Sequence, residues 1–274
     1  MTDDAKCFDL DSWEDFEREL KDLRPILEGR KGLSPLFRGQ GDSCWKLATT
    51  LERNVDSMIL FKEYYRLIYT SRSEIENLAK KTWDISEYEN IEKLVSDYDT
   101  FNGILRTGPK PAYAYMIYLR HHGFPSPLLD WTRSPRIAAY FAFRKEVEAD
   151  RVAIYMICER NIKSYSNKMP AVYRLGQYVQ NAPERHVFQQ SDYTLSLIFN
   201  QMKEWEFAAH DDVFYPRGTV PGSAPNYDIW KFNIPSTERL KVLRILDEYN
   251  LNAFSLFRST ESLMETIAIR KLHF

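Results

Sequence analysis

Three segments of the chain gather more polar and charged side chains than packing demands. In Leu36-Phe37-Arg38-Gly39-Gln40-Gly41-Asp42, an Arg ends an apolar run and glycines follow it. A guanidinium so placed suits bidentate capture of a phosphate or carboxylate, and a glycine turn lets a ligand reach the backbone. The same Arg could instead pair with an internal acid and hold the loop. The second segment, His121 to Pro135, holds two His, Asp130, Trp131, Thr132, Arg133 and Ser134. His122 is of the right type for proton transfer or for a ribose hydroxyl, and Trp131 for stacking on a ring. Plainer roles exist for each: Asp130 or Thr132 as a helix cap, Trp131 in the core, His122 in a turn. The third segment runs from Glu184 to Tyr193. Read as extended chain, it points Gln189 and Gln190 to opposite faces, so at most one enters a shared site. A buried Gln bonding to backbone is the alternative.

Other chemistries have no signature here. Neither GxGxxG nor GxxxxGK[ST] occurs, so the usual glycine-rich nucleotide cradles are missing, as are HExxH and GxSxG. His210-Asp211-Asp212 lacks a partner acidic cluster, and no metal is expected. The three Cys are far apart without CxxC, which argues against a disulfide framework or structural zinc. With 44% hydrophobic and 28% charged residues, the chain is an ordinary globular mixture, not a disordered one. The polar start MTDDAKCFDL and the lack of a long apolar run suggest a cytoplasmic protein with no membrane partner. A net charge of −2 excludes a basic coat but leaves room for a local basic groove.

The elements that must position these residues form a mixed α+β pattern. Leu10, Trp13, Phe16, Leu20, Leu23 and Leu27 keep helical spacing after an Asp11-Ser12 cap, and Gly32 closes that helix. Pro35 to Gly39 reads as a short strand and Trp45 to Leu51 as a second. Residues 57–81 read as a helix, 86–105 as one or two more broken near Gly103, and Ala112 to Arg120 as a short aromatic helix. A strand begins at Leu128-Leu129, Asp130 to Ser134 is a turn, and a helix covers Ile137 to Val147 after Pro135. Arg151 to Cys158 is continuously apolar and therefore a central strand. Segment 160–230, with Pro170, Pro183, Pro216, Pro221 and Pro225, reads as strands and long loops. A last strand at 229–234 precedes a helix opened by Pro235 to Glu238 and another over 259–271. No linker divides the chain, which predicts one domain over residues 1–274.

Phe37-Arg38-Gly39 with Trp45 and Leu51-Glu52-Arg53, then His122-Gly123-x-Pro125, Leu128-Leu129-Asp130-Trp131-Thr132 and Ala138-Ala139-Tyr140-Phe141-Ala142, resemble the FRG domain. Arg185-x-x-x-Gln189-Gln190-Ser191-x-Tyr193 resembles its third motif, and Ile234-Pro235 with Leu256-Phe257 its C-terminal signature. His121 replaces a usual Gln, Ser191 and Tyr193 replace Gly and Phe, and Arg258 to Glu261 depart from the acidic and glycine residues expected there. Residues 54–110 carry no family motif and look like a helical insertion.

The resemblance implies a central split sheet of the ADP-ribosyltransferase type, and an enzyme that consumes NAD as a bacterial toxin or phage-defence effector. It implies that Arg38, with Gly39 and Gln40, holds the NAD phosphates or ribose. His122 and the Thr132/Ser134 turn would meet ribose hydroxyls, Trp131 or Tyr140 the nicotinamide, and Asp130 would order the cluster. Gln189 stands where a catalytic Glu is expected and would orient the ribose or the acceptor. Asp130, Glu184 and Glu265 are the carboxylates that could stabilise positive charge. The acceptor would be a macromolecule, with RNA or other nucleic acid ahead of protein, and a toxin would have an antitoxin protein. A non-catalytic nucleotide- or peptide-binding module and a nuclease-type toxin using His122 with Arg38 are the alternatives. Tyr113, Tyr115, Tyr118, Trp131, Tyr140, Phe141 and Phe143 crowd this region, which suggests a ring-binding pocket.

Overall fold

A computed structural model describes residues 6–28, 34–57, 59–160, 170–176, 182–215 and 227–274. Gly32, Pro216, Pro221 and Pro225 lie outside the described residues, and so does the side chain of Leu27. In chain order the elements are β1 (Lys6–Asp9), α1 (Trp13–Glu28), β2 (Leu36–Gln40), α2 (Phe61–Thr70), α3 (Arg72–Ala79), α4 (Tyr88–Ser96) and α5 (Tyr98–Thr107). Next come α6 (Tyr113–His121), β3 (Leu129–Thr132), α7 (Pro135–Phe143), β4 (Arg151–Glu159), β5 (Ala171–Arg174) and α8 (Glu184–Phe188). The chain ends with β6 (Ser191–Phe199), β7 (Trp205–Phe207), α9 (His210–Phe214), β8 (Tyr227–Pro235), α10 (Arg239–Glu248), α11 (Ala253–Phe257) and α12 (Thr260–Leu272).

The strands form one mixed, open eight-stranded sheet in the order β1-β8-β4-β2-β3-β6-β5, with β7 also on β6. Only β1 and β8 run parallel; the other pairs are antiparallel. β4 is central as its apolar run predicts, buried on both faces between β2 and β8. The sheet narrows between β2 and β3, where Phe37 opposite Thr132 is the sole registered pair. Each half of the sheet has a core of its own, and a third cluster that includes Leu36, Leu129, Trp131, Ala153, Val172 and Ile229 spans both. α2, α4, α5 and α6 pack with β5, β6 and β7, whereas α1, α7, α10 and α11 pack with β4 and β8. Among the described residues no helix is long and apolar enough to cross a membrane.

Several expectations need correction. Trp45 to Leu51 is irregular chain that enters a turn at Thr50, not a strand, and the 57–81 helix divides at Ser71. Gly103 lies inside α5, with nothing within 4 Å of where its Cβ would stand, so helix formation wins over its weak propensity. Asp130 to Thr132 are strand, not turn, because β6 pairs with each of them. α7 stops at Phe143, short of Val147. Gln189 and Gln190 are not extended. Gln189 caps α8, and Gln190 takes a left-handed φ of 48° before β6 begins.

The approach of α7 to β2 fixes the geometry around Arg38. Ser134 Oγ accepts the Ile137 N–H at 3.3 Å, and Pro135 occupies the first turn, so the helix starts where the sequence dictates. Its Ala138 and Ala142 backbone then lies directly on Gly39. A Cβ at Gly39 would stand 1.9 Å from the Ala138 carbonyl oxygen and 2.6 Å from the Ala142 nitrogen. Gly39 is thus a packing glycine inside a strand, and the helix, not a ligand, is what approaches it.

Candidate active site

A pocket of about 440 Å³ opens where β2, β3 and β6 meet, at the narrow point of the sheet. Motif residues from three adjacent strands converge there: Arg38 with Gly39 and Gln40, Asp130 with Thr132, and Ser191 with Tyr193. Its lining includes five arginines, Arg38, Arg53, Arg120, Arg144 and Arg185, against one carboxylate, Asp130.

Asp130 is the hub. Arg120 grips both its oxygens, and Arg38 Nη1 lies 3.9 Å from its Oδ2 while donating to its backbone carbonyl at 2.8 Å. The Arg38 guanidinium therefore bridges β2 and β3 just past their single registered pair. Burial alone would raise the Asp130 carboxyl, but Arg120 and Arg38 outweigh it and hold the group below its ordinary range. For Arg38 burial dominates, and the guanidinium is pushed down to about 10 despite Asp130. Arg38 Nε is buried with no acceptor within the protein.

Arg120 also donates to Thr50 Oγ1 at 3.1 Å. Arg185 donates to the His121 carbonyl, and Arg144 forms a double hydrogen bond to Glu265, at 2.8 and 2.6 Å. His121 Nε2 lies 3.0 Å from the Tyr193 hydroxyl. Burial and then Arg185 lower the His121 imidazole to about 4, so it is neutral at neutral pH. Burial pushes the Tyr193 phenol well above its ordinary value, keeping it protonated.

The candidate residues divide. Arg38, Gly39, Gln40, Asp130, Trp131, Thr132 and Gln189 line the pocket, whereas His122, Ser134 and Tyr140 do not. His122 stacks on Tyr118 at 4.0 Å and contacts the Tyr118 carbonyl outside the pocket; its neighbour His121 faces inward. Helical spacing explains the exchange, since His121 follows Tyr113 and Ile117 on the buried face of α6. Trp131 lines the pocket, but its ring packs with Leu129 in the core and its Nε1 donates to Thr194 Oγ1 at 2.8 Å. Asp130 and Thr132 occupy the alternate positions of the strand. Tyr140 is buried with its hydroxyl on Glu265, so neither aromatic offers a ring face to a ligand. Of the crowded aromatic group only Trp131 and Phe141 reach the lining.

Two polar members hold the walls together. Thr132 Oγ1 donates to the Gln189 carbonyl at 2.7 Å, and Gln189 Nε2 donates to the Leu256 carbonyl at 3.1 Å. Gln189 thus ties the third motif to the C-terminal signature, the backbone role open to it from the start. Ser134 serves as the cap of α7. Glu184 is exposed and outside the lining, and Glu265 is engaged by Arg144 and Tyr140. Among the described residues no three His, Cys, Asp or Glu side chains group as metal ligands. His210 and Asp211 are structural. His210 contacts Glu52 at 3.2 Å and Thr194 at 3.1 Å, and Asp211 accepts the Leu47 N–H.

Residues 34–151 match the family model of the FRG domain. The chain carries an FRG domain. The matched stretch holds the Phe37-Arg38-Gly39 motif and the Leu128 to Thr132 block, so the FRG domain supplies Arg38, Arg53, Arg120, His121 and Asp130 to the pocket. Arg185, Gln189, Ser191 and Tyr193 complete it from beyond that stretch. No curated protein and no solved structure matches the chain.

Proposed function

We propose that the FRG-domain pocket binds NAD and that the protein transfers ADP-ribose to a macromolecule, RNA or another nucleic acid ahead of protein, as an intracellular bacterial toxin or phage-defence effector. The observation that carries this reading is the charge of the pocket: five guanidinium groups surround about 440 Å³, a size suited to a small-molecule ligand, and with Arg120 held by Asp130 and Arg144 by Glu265 the positive charge of Arg38, Arg53 and Arg185 is in excess. Such an excess suits a diphosphate, which forked guanidinium donors match in charge and shape.

NAD supplies the ADP-ribose and the nicotinamide leaving group. As the C1′–N bond breaks, the electron pair leaves with nicotinamide and positive charge develops on the ribose; the acceptor then bonds to C1′ and loses its proton. The chain's part is positioning and electrostatics. Asp130 is the carboxylate inside the pocket that can face the developing charge, and His121 is a neutral imidazole in the same wall able to hydrogen-bond the ligand. Arg38, Arg53 and Arg185 hold the phosphates. Exposed Arg133 and Lys145 lie near α7, where a nucleic acid backbone could be met.

One observation favours a second reading. Arg120 already occupies both oxygens of Asp130, and Gln189 stands where a Glu is expected. A nucleotide-binding module without turnover would have that arrangement. Incubating the protein with NAD labelled in the adenine, with and without cell lysate, separates the readings. Label in RNA, DNA or protein supports transfer, and free ADP-ribose alone indicates hydrolysis. NAD bound but intact would support the module, and no binding together with undiminished toxicity of Arg38→Ala would refute the NAD reading.

A further inference from the structure

The pocket lining is uneven in depth. Thr132, Gln189, Ser191 and Tyr193 are buried, whereas among the described lining residues only Trp45 and Arg53 are exposed. Trp45 keeps 48% of its surface open, while Trp13, Trp83, Trp131, Trp205 and Trp230 are all at 4% or less. Arg53 makes no ion pair among the described residues, unlike Arg38, Arg120 and Arg144.

Both residues sit on the segment between β2 and α2, which has no regular structure yet is tied down along its length. The Ser43 N–H donates to the Arg151 carbonyl at 2.8 Å, and Leu47 N–H to Asp211 at 3.1 Å. Tyr155 hydroxyl reaches the Trp45 carbonyl at 3.4 Å, and Leu51 N–H donates to the Ser126 carbonyl at 3.0 Å. Glu52, between Leu51 and Arg53, holds buried His210. A half-open indole on a fixed wall and an unpaired guanidinium in the same pocket lining offer a π face and a positive charge to one ligand.

We propose that Trp45 and Arg53 form an outer subsite that takes the adenine end of the nucleotide, Trp45 stacking on the base and Arg53 meeting the adjacent phosphate. This rests on the reading of the pocket as an NAD site and assigns the two ends of the ligand. The nicotinamide ribose lies inward beside Asp130 and His121, and the adenine lies at the mouth, where Trp45 is open to solvent. The base specificity of the protein then comes from the wall at Trp45 and not from Trp131 or Tyr140, whose rings are committed to the core.

Iodide-accessible emission comes from Trp45, because the other indoles are buried. NAD and ADP-ribose are expected to quench and shield that emission, and nicotinamide mononucleotide, which keeps a phosphate but lacks adenine, is expected not to. By calorimetry Trp45→Ala should weaken NAD and ADP-ribose by between about 5- and 150-fold, the range for base–aromatic stacking, and Trp45→Phe should restore most of the loss. Its exposed position leaves the thermal midpoint unchanged, which separates lost stacking from lost folding. Equal affinity of wild type and Trp45→Ala for ADP-ribose would overturn the subsite while leaving the NAD reading intact. Trp45-dependent binding of ADP-ribose without NAD consumption would keep the subsite and remove the transferase. Failure of NAD and ADP-ribose to bind wild type would end both.

Discussion

Replacing Gly39 by Ala adds one methyl group between β2 and α7, and the structure says what it meets. The new carbon would stand 1.9 Å from the Ala138 carbonyl oxygen, 2.6 Å from the Ala142 nitrogen and 2.9 Å from the Ala138 carbonyl carbon. All three are helix backbone, so no side chain can rotate away. Helix and strand must separate by more than an ångström, carrying Phe37 and the helix's buried face with them. Overpacking of this kind costs about 1–3 kcal/mol where neighbours yield, and a backbone neighbour puts the expectation at about 3 kcal/mol or more. That corresponds to a fall of roughly 6–12 °C in Tm. Gly103→Ala is the control. Open space surrounds that position inside α5, and the gain in helix propensity should stabilise by about 0.5–1 kcal/mol. Urea unfolding followed by circular dichroism, with ligand affinity measured on the folded fraction, reads both. If Gly39→Ala lost ligand affinity and kept its stability, Gly39 would be a ligand-contact residue, and the packing account would be refuted.

Asp130→Asn should abolish nicotinamide release while leaving Arg120 and Arg38 without their acid. With 41% of the Asp130 side chain open, solvent screening reduces the cost from that of a fully buried pair to about 1–3 kcal/mol, and unchanged turnover would remove the carboxylate from the mechanism. His121 titrates at about 4 when folded against an ordinary 6.5, so below the higher value the unfolded chain binds the proton first. Its share of stability is whole above about pH 6.5 and is lost as pH falls toward 4; His121→Gln should show a smaller drop in urea midpoint between pH 7.5 and 4.5 than wild type. Glu52→Leu removes the partner of His210 and of the Thr49 N–H, so stability should fall by about 1–3 kcal/mol and ligand affinity should fall with it. A variant as stable as wild type would show that the Glu52–His210 contact does not hold the segment.

The elements were legible where periodicity was strong and capped. α1 follows its apolar stripe and Ser12, β4 its unbroken apolar run, and α7 its Ser134-Pro135 start. The site was legible as motifs, and Arg38, Asp130, Thr132 and Gln189 do share one pocket. The directions of side chains were harder to read. Once Asp130 to Thr132 is known to be strand, alternation separates Trp131 from its neighbours, but the cluster of hydroxyl and charged residues reads locally as a turn. His121 and His122 differ by one position on a helix, and only the buried face of α6 tells them apart. Arg53 and Arg185 belong to the motifs and Arg120 to none, but that all three face one pocket shows only when distant segments fold together, since a single Arg in sequence looks like any surface charge. Gly39 carried the signal for close approach, but sequence does not say which partner approaches.

Between β2 and β3 the ladder holds one residue pair, supplemented by the guanidinium of Arg38. A ladder zipped along the full length of β2 and β3 would be the firmer sheet and would leave a guest no entrance. The protein keeps its middle seam unlaced, and a ligand lying across it becomes a cross-brace between the two halves of the sheet. Amide exchange along β2 and β3 should therefore slow on ligand binding more than exchange within β4 and β8, and the seam itself becomes the gauge of occupancy.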